Sequence, residues 1–193
     1  EMCIRDRLHE GLSWNWSSFP EYLDELERRP RDIDLGTQLP HGALRLHVMG
    51  ERGAIQEPAT PDDIAEMARL AREAVEAGAL GFSTSRTLNH RTSLGEPTPT
   101  LRAEADELVG IASALGEAKK GVLQAVTDFI DRDADLDLFE RMASESGRPI
   151  SVSIAQGAKT GDDWRVELAR FAEASARGVQ MRGQVEASGF WFP

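Results

Sequence analysis

The 193 residues carry 33 acidic side chains against 22 basic ones, a formal net charge of −11, with 40% apolar and 28% charged residues. Such a surface repels phosphate backbones and anionic headgroups, so nucleic-acid binding and membrane-surface roles are disfavoured. No apolar run approaches the ~20 residues a bilayer span needs, no signal-peptide core is present, and one cysteine, Cys3, cannot close an internal disulfide, so a cytoplasmic protein is expected.

The opening EMCIRDR matches nothing that follows and resembles the translation of a sequencing-adapter end. We read residues 1–7 as an adapter-like, non-native tail and residues 8–193 as the domain. Cys3 is set aside as ligand or nucleophile, because a lone thiol has no partners here.

SSFPEYLDELERRP predicts a helix, with Ser18 as N-cap, Phe19, Tyr22, Leu23 and Leu26 on one face, and Pro30 as the stop. IDLGTQLPHGALRLHVMG predicts a strand followed by a loop rich in polar side chains. In TPDDIAEMARLAREAVEAG, Thr60 caps, Pro61 takes the first helical position and Gly78 follows the last. Ile64, Met67, Leu70, Ala71 and Ala74 form its buried stripe. The strand ALGFST comes next. Three further helix–strand pairs follow, LRAEADELVGIASALGEAKKG with VLQAVTDF, DLDLFERMASESG with RPISVSIAQ, and DDWRVELARFAEASARG with VQMRGQV. The last strands recur at about 30 residues, the length of a βαβ unit.

This alternation implies a parallel sheet with crossover helices. A doubly wound sheet would want a glycine-rich phosphate turn after its first strand, and neither GxGxxG nor GxxxxGK[ST] occurs. Polar residues gather instead at the carboxyl ends of several strands, as in a barrel enzyme. The expected fold is α/β, a partial (β/α)8 TIM barrel. About five strands are legible where a full barrel has eight, so truncation at both ends is expected.

Chemistry in such a barrel sits in the loops after the strands. The first loop offers His41, Arg45 and His47. The second, STSRTLNHRTSLGEPTPT, is long for its type and carries Arg86, Asn89, His90 and Arg91. His90 between two arginines suggests a site for a substrate carboxylate. Gln124, Thr127 and Asp128 end the next strand, and Gln156 and Lys159 the one after. In the last strand Arg182, Gln184 and Glu186 alternate with apolar residues, giving one polar face. The candidate catalytic residues are His90 and Asp128. The candidate substrate-binding residues are His41, Arg86, Arg91, Gln124, Gln156, Arg182 and Gln184. Structural roles remain open for His41, His47 and Asp128. There is no HxH, no HExxH and no Cys/His cluster, so no residue here is assigned to a metal.

FPEYLDELERR, LPHGALRLHVMG and EAVEAGALGFSTSRTLNHR resemble, in that order and spacing, the D-aminoacylase-like branch of the amidohydrolases, the N-acyl-D-amino-acid deacylases. GALGFSTS and HGALR with its trailing VMG are the most specific pieces, and the similarity runs from about Trp14 to the last strand. The resemblance implies a zinc-dependent barrel with a small β-domain, releasing a carboxylic acid and a free D-amino acid from an amide. The metal would supply a hydroxide nucleophile near neutral pH and a late carboxylate would shuttle protons. The family's HxH, cysteine ligand and late aspartate belong to segments outside this chain. Two strands that carry histidine in the family carry Gln124 and SVSIAQ here, and the tyrosine that follows GFSTG-like loops is absent. Zinc is therefore expected from the resemblance with its ligands mostly outside this chain or not retained. The expected partner is a small molecule bearing a carboxylate, and the segment alone is expected to be inactive. Two alternatives stay open: a metal-free barrel relative with a binding or non-hydrolytic role, and an unrelated barrel lyase or isomerase on a phosphorylated substrate.

Overall fold

The computed structural model describes residues 14–28, 30–92, 94–155 and 161–185. The adapter-like tail with Cys3, and Gln156, Lys159 and Glu186, lie outside the described residues. The elements in order are α1 (Phe19–Glu27), β1 (Leu39–Pro40), α2 (His41–Met49), α3 (Glu51–Ala54), α4 (Pro61–Ala77), β2 (Gly81–Arg86), α5 (Ala105–Ala118), β3 (Val122–Thr127), α6 (Arg132–Ser146), β4 (Ile150–Ser153), α7 (Trp164–Ala176) and β5 (Met181–Gln184).

The strands form one parallel sheet in strict sequence order, β1-β2-β3-β4-β5. A doubly wound sheet reverses its order at a switch point, and this one does not. Right-handed crossovers that always advance in the same direction place every helix on one face. That is the arrangement of consecutive strands in a (β/α)8 barrel.

The pleat separates two faces. Leu39, Phe82, Thr84, Leu123, Ala125, Ile150, Val152 and Met181 are buried beneath the helices, packed with Met67, Leu108, Ile111, Leu115, Leu136, Phe139 and Met142. The alternate residues point to the opposite, inner face. Pairing aligns them in rows: Pro40, Ser83, Gln124, Ser151 and Arg182 form one, and Ser153 pairs with Gln184 in the next, as Ser85 does with Val126. The helix layer is mostly apolar and the inner face mostly polar.

Local signals set some of the helix starts. Ser18 and Glu21 form a capping box at α1, as do Thr60 and Asp63 at α4, each followed by proline. One prediction needs correction. The residues after β1 are not a loop but the helix α2, which begins directly at His41.

Candidate active site

The first element of the site is a buried polar cluster behind the sheet. His41, Arg45 and Glu107 are 1%, 0% and 1% exposed. Nε2 of His41 lies 2.8 Å from Oε1 of Glu107, and its Nδ1 lies 2.9 Å from the Thr84 hydroxyl. A carboxylate only accepts, so Nε2 carries the proton and the Thr84 hydroxyl donates to Nδ1 of the neutral ring. Arg45 pairs with the other Glu107 oxygen and donates to the Glu57 carbonyl. The cluster joins α2, α5 and β2 through the helix layer. His41 therefore sits on the far side of the sheet from the inner face.

Burial pushes the His41 imidazole below its ordinary value of 6.5, against the pull of Glu107. Burial alone would raise Glu107, but hydrogen bonds from His41 and Arg45 outweigh it and hold the carboxyl below its ordinary 4.5. Both groups bind protons more readily in the unfolded chain. Stability is therefore full above about pH 6.5 and falls as the pH drops below it, with Glu107 adding to the loss beneath about pH 4.5. Thermal melts between about pH 7 and pH 5 should show the decline, and His41→Gln should flatten it. An unchanged slope in that variant would assign the pH dependence to other groups.

The second element is the carboxyl rim of β2 and β3. Arg86 has the same strand parity as Phe82 and Thr84, and it turns to the helix side. Its Nε lies 3.4 Å from Asp135, and its NH1 donates to the Ala103 carbonyl at 2.7 Å. The Thr127 hydroxyl donates to the other Asp135 oxygen at 2.7 Å, so Asp135 of α6 clamps both strand ends. Asp128 accepts from the Leu88 N–H at 2.7 Å, from the Asn89 amide at 3.4 Å and from the Thr87 hydroxyl. It straps the long loop to the end of β3. Downstream on that loop, His90 is exposed and its Nδ1 lies 2.7 Å from the Ser85 hydroxyl. The Arg91 NH1 donates to the Gly95 carbonyl at 2.9 Å, beside a backbone bridge between Arg91 and Pro97.

The third element is the inner face. Gln124 is half-buried there between Ser83 and Ser151. The Ser151 hydroxyl donates to the Gln184 amide oxygen at 3.2 Å. Arg182 begins on this face, but its NH1 lies 3.2 Å from the Ser175 hydroxyl of α7 and 3.0 Å from the Met181 carbonyl. The structure thus gathers Ser85, Gln124 and Gln184 on the inner face, with His90 at its rim. It places His41 and Arg86 in the helix layer and curls Arg182 around the strand. Ser85, Thr84, Glu107 and Asp135 were not singled out from sequence. Alternation from Phe82 would have put Ser83 and Ser85 on the inner face.

A profile of the Amidohydrolase family matches residues 7–191. The chain belongs to the amidohydrolase family. This amidohydrolase is similar to a D-aminoacylase of Alcaligenes xylosoxydans xylosoxydans, 33% identical over 110 residues, covering 57% of this chain and 20% of that protein. An uncharacterized protein of Mycobacterium bovis is 36% identical over 70 residues, covering 35% of this chain and 12% of its own. Among solved structures, N-acyl-D-glutamate deacylase from Bordetella bronchiseptica superposes with a TM-score of 0.72 at 22% identity, over 90% of this chain and 35% of that one. It was crystallised with zinc and a phosphonate inhibitor that mimics the tetrahedral intermediate. The matches therefore span about an eighth to a third of the length of these relatives, and the superposition supports the barrel fold.

Among the described residues, the inner-face side chains of β3 and β4 do not fit zinc. The inner positions of β3 and β4 are Val122, Gln124, Val126, Ser151 and Ser153, and a neutral amide, alkyl groups and hydroxyls are poor ligands beside imidazole, thiolate or carboxylate. Among the described residues no group of three or more His, Cys, Asp or Glu could hold a metal ion. Among them also, no helix is long and apolar enough to cross a membrane.

Proposed function

We propose that the full-length protein hydrolyses the C–N bond of an N-acylated amino acid, of the D series or closely related, and that this segment supplies part of its substrate pocket. The family match across residues 7–191 carries the reading. The polar inner face supports it, because polar groups at the carboxyl ends of barrel strands face the reaction space.

In this reading Gln124 and Gln184 hydrogen-bond the amide of the substrate, and Arg91 and His90 receive its carboxylate at the rim. His90 also holds or delivers a proton from its exposed ring. Arg182 begins on the same face, and Gln156 stays a candidate from the sequence alone. Asp128 and Arg86 act by fixing the rim, and His41 by fixing α2 against β2. Any metal would be held mostly by residues beyond those described. The neutral inner residues of β3 and β4 favour a second reading, a barrel relative that works without metal.

An assay of the full-length protein on N-acetyl-D- and N-acetyl-L-amino acids tests the proposal by amine release. D-selective hydrolysis supports it, and no hydrolysis with or without added zinc rejects it. Arg91→Ala should raise KM by about tenfold and change kcat little, since a charge-assisted hydrogen bond to the carboxylate is lost. An unchanged KM would remove Arg91 from the site.

A further inference from the structure

We propose that Ser85 and His90 form a nucleophile–base pair that accepts acyl groups from activated acyl compounds without a metal. Three observations carry this. The Ser85 hydroxyl lies 2.7 Å from Nδ1 of His90, the separation required for a base to take the proton as the oxygen attacks. Ser85 has inner-face parity, in register with Val126, so its hydroxyl opens onto the space enclosed by a barrel. Both members are also held. The buried Thr100 donates its hydroxyl to the Ser85 carbonyl, and Asp128 straps Thr87 and Leu88 between the two residues.

The chemistry balances with these groups and water. Nδ1 accepts only when Nε2 carries the ring proton, so the neutral Nε2–H tautomer is the active one. The Ser85 oxygen bonds to the acyl carbon and its proton passes to Nδ1. The bond from carbon to the leaving group breaks, and His90 returns the proton to the departing oxygen or nitrogen. Water then cleaves the acyl–Ser85 ester with His90 again as base. Gln124 lies on the neighbouring strand, diagonal to Ser85 on the same face, and offers carboxamide N–H donors to the oxyanion. A surface serine far from an imidazole would have no such base.

This inference is independent of the metal-dependent amide hydrolysis raised above, and chelation separates the two. The full-length protein is treated with p-nitrophenyl acetate, before and after chelator, and the acetylated peptide is mapped by mass spectrometry. The expected result is acetyl on Ser85 at an unchanged rate after chelation. Ser85→Ala should abolish that adduct, while Ser83→Ala, two residues along the same face, should keep it. His90→Gln should slow acetylation by about 100-fold. Acetyl found only on lysines or other serines, an adduct lost on chelation, or an undiminished rate in His90→Gln would overturn the proposal. Mapping on the unaltered protein decides the case even where a variant fails to fold.

Discussion

Replacing Glu107 with alanine is expected to lower the unfolding free energy by about 3–5 kcal/mol, because it strands a buried guanidinium. Arg45 is fully buried, and Glu107 is its anionic partner in the cluster. The same substitution leaves the Nε2–H of His41 without its acceptor. A domain of this size has about 5–15 kcal/mol in total, so the variant should be largely unfolded well below the denaturant midpoint of the parent. Removing both charges tells pairing apart from packing. Arg45→Met with Glu107→Leu should recover much of the loss, since apolar residues of similar volume replace the ion pair without an orphaned charge. Urea unfolding followed by circular dichroism measures both. A loss below about 1 kcal/mol in Glu107→Ala would place the cluster in water rather than in the core.

Gly81→Ala is the second large effect, expected to cost about 3 kcal/mol and to act on the β2–β3 pairing itself. Gly81 opens β2 with φ 153°, in the region that disfavours side chains. A methyl there would lie 2.6 Å from the Val122 nitrogen and clash with the Val122 carbonyl oxygen, both backbone atoms of β3. Neither can move without breaking the register in which Gly81 faces Val122. Gly50 provides the contrast. It also has positive φ, 58°, but nothing lies within 4 Å of an added methyl. Gly50→Ala should therefore cost only the conformational part, about 1 kcal/mol. Equal losses at the two positions would show that space at Gly81 is not limiting.

The parts of the fold legible in sequence are those whose cause is local. Ser18 and Thr60 announce their helices because each cap, its acidic partner and the proline lie within four residues. The sheet was legible because apolar strands alternate with helices at βαβ spacing. The helix α2 was not, and the reason is physical. Pro40 stands at its N-cap without a side-chain hydrogen bond, so the usual start signal is missing. Its first residue, His41, is fixed by Thr84 and Glu107, which are 43 and 66 residues away.

Glu107 was hidden for a similar reason. An acid in the first turn of a helix reads as a complement to the helix dipole, and only the fold turns it into a buried counterion. Arg86 carried more information than its charge suggested. Counting by twos from Phe82 sends it to the helix layer, where Asp135 and the Ala103 carbonyl receive it. His90 was legible as a polar residue on a long loop, while its partner Ser85 is one small hydroxyl inside a strand, and only the register of β2 turns it to the inner face.

In the proposed function the inner face of β2–β5, rather than the helix side, meets the substrate. A competing location exists on the helix side, an apolar groove of about 470 Å³ lined by Trp14, Trp16, Tyr22, Leu39, Leu44 and Leu70. A crystal structure of the full-length protein with a phosphonate analogue of an N-acyl-D-amino acid distinguishes them. The analogue is expected against Gln124 and Gln184 with its carboxylate toward His90 and Arg91. An analogue seated in the Trp14–Tyr22 groove, with the inner face empty, would contradict it.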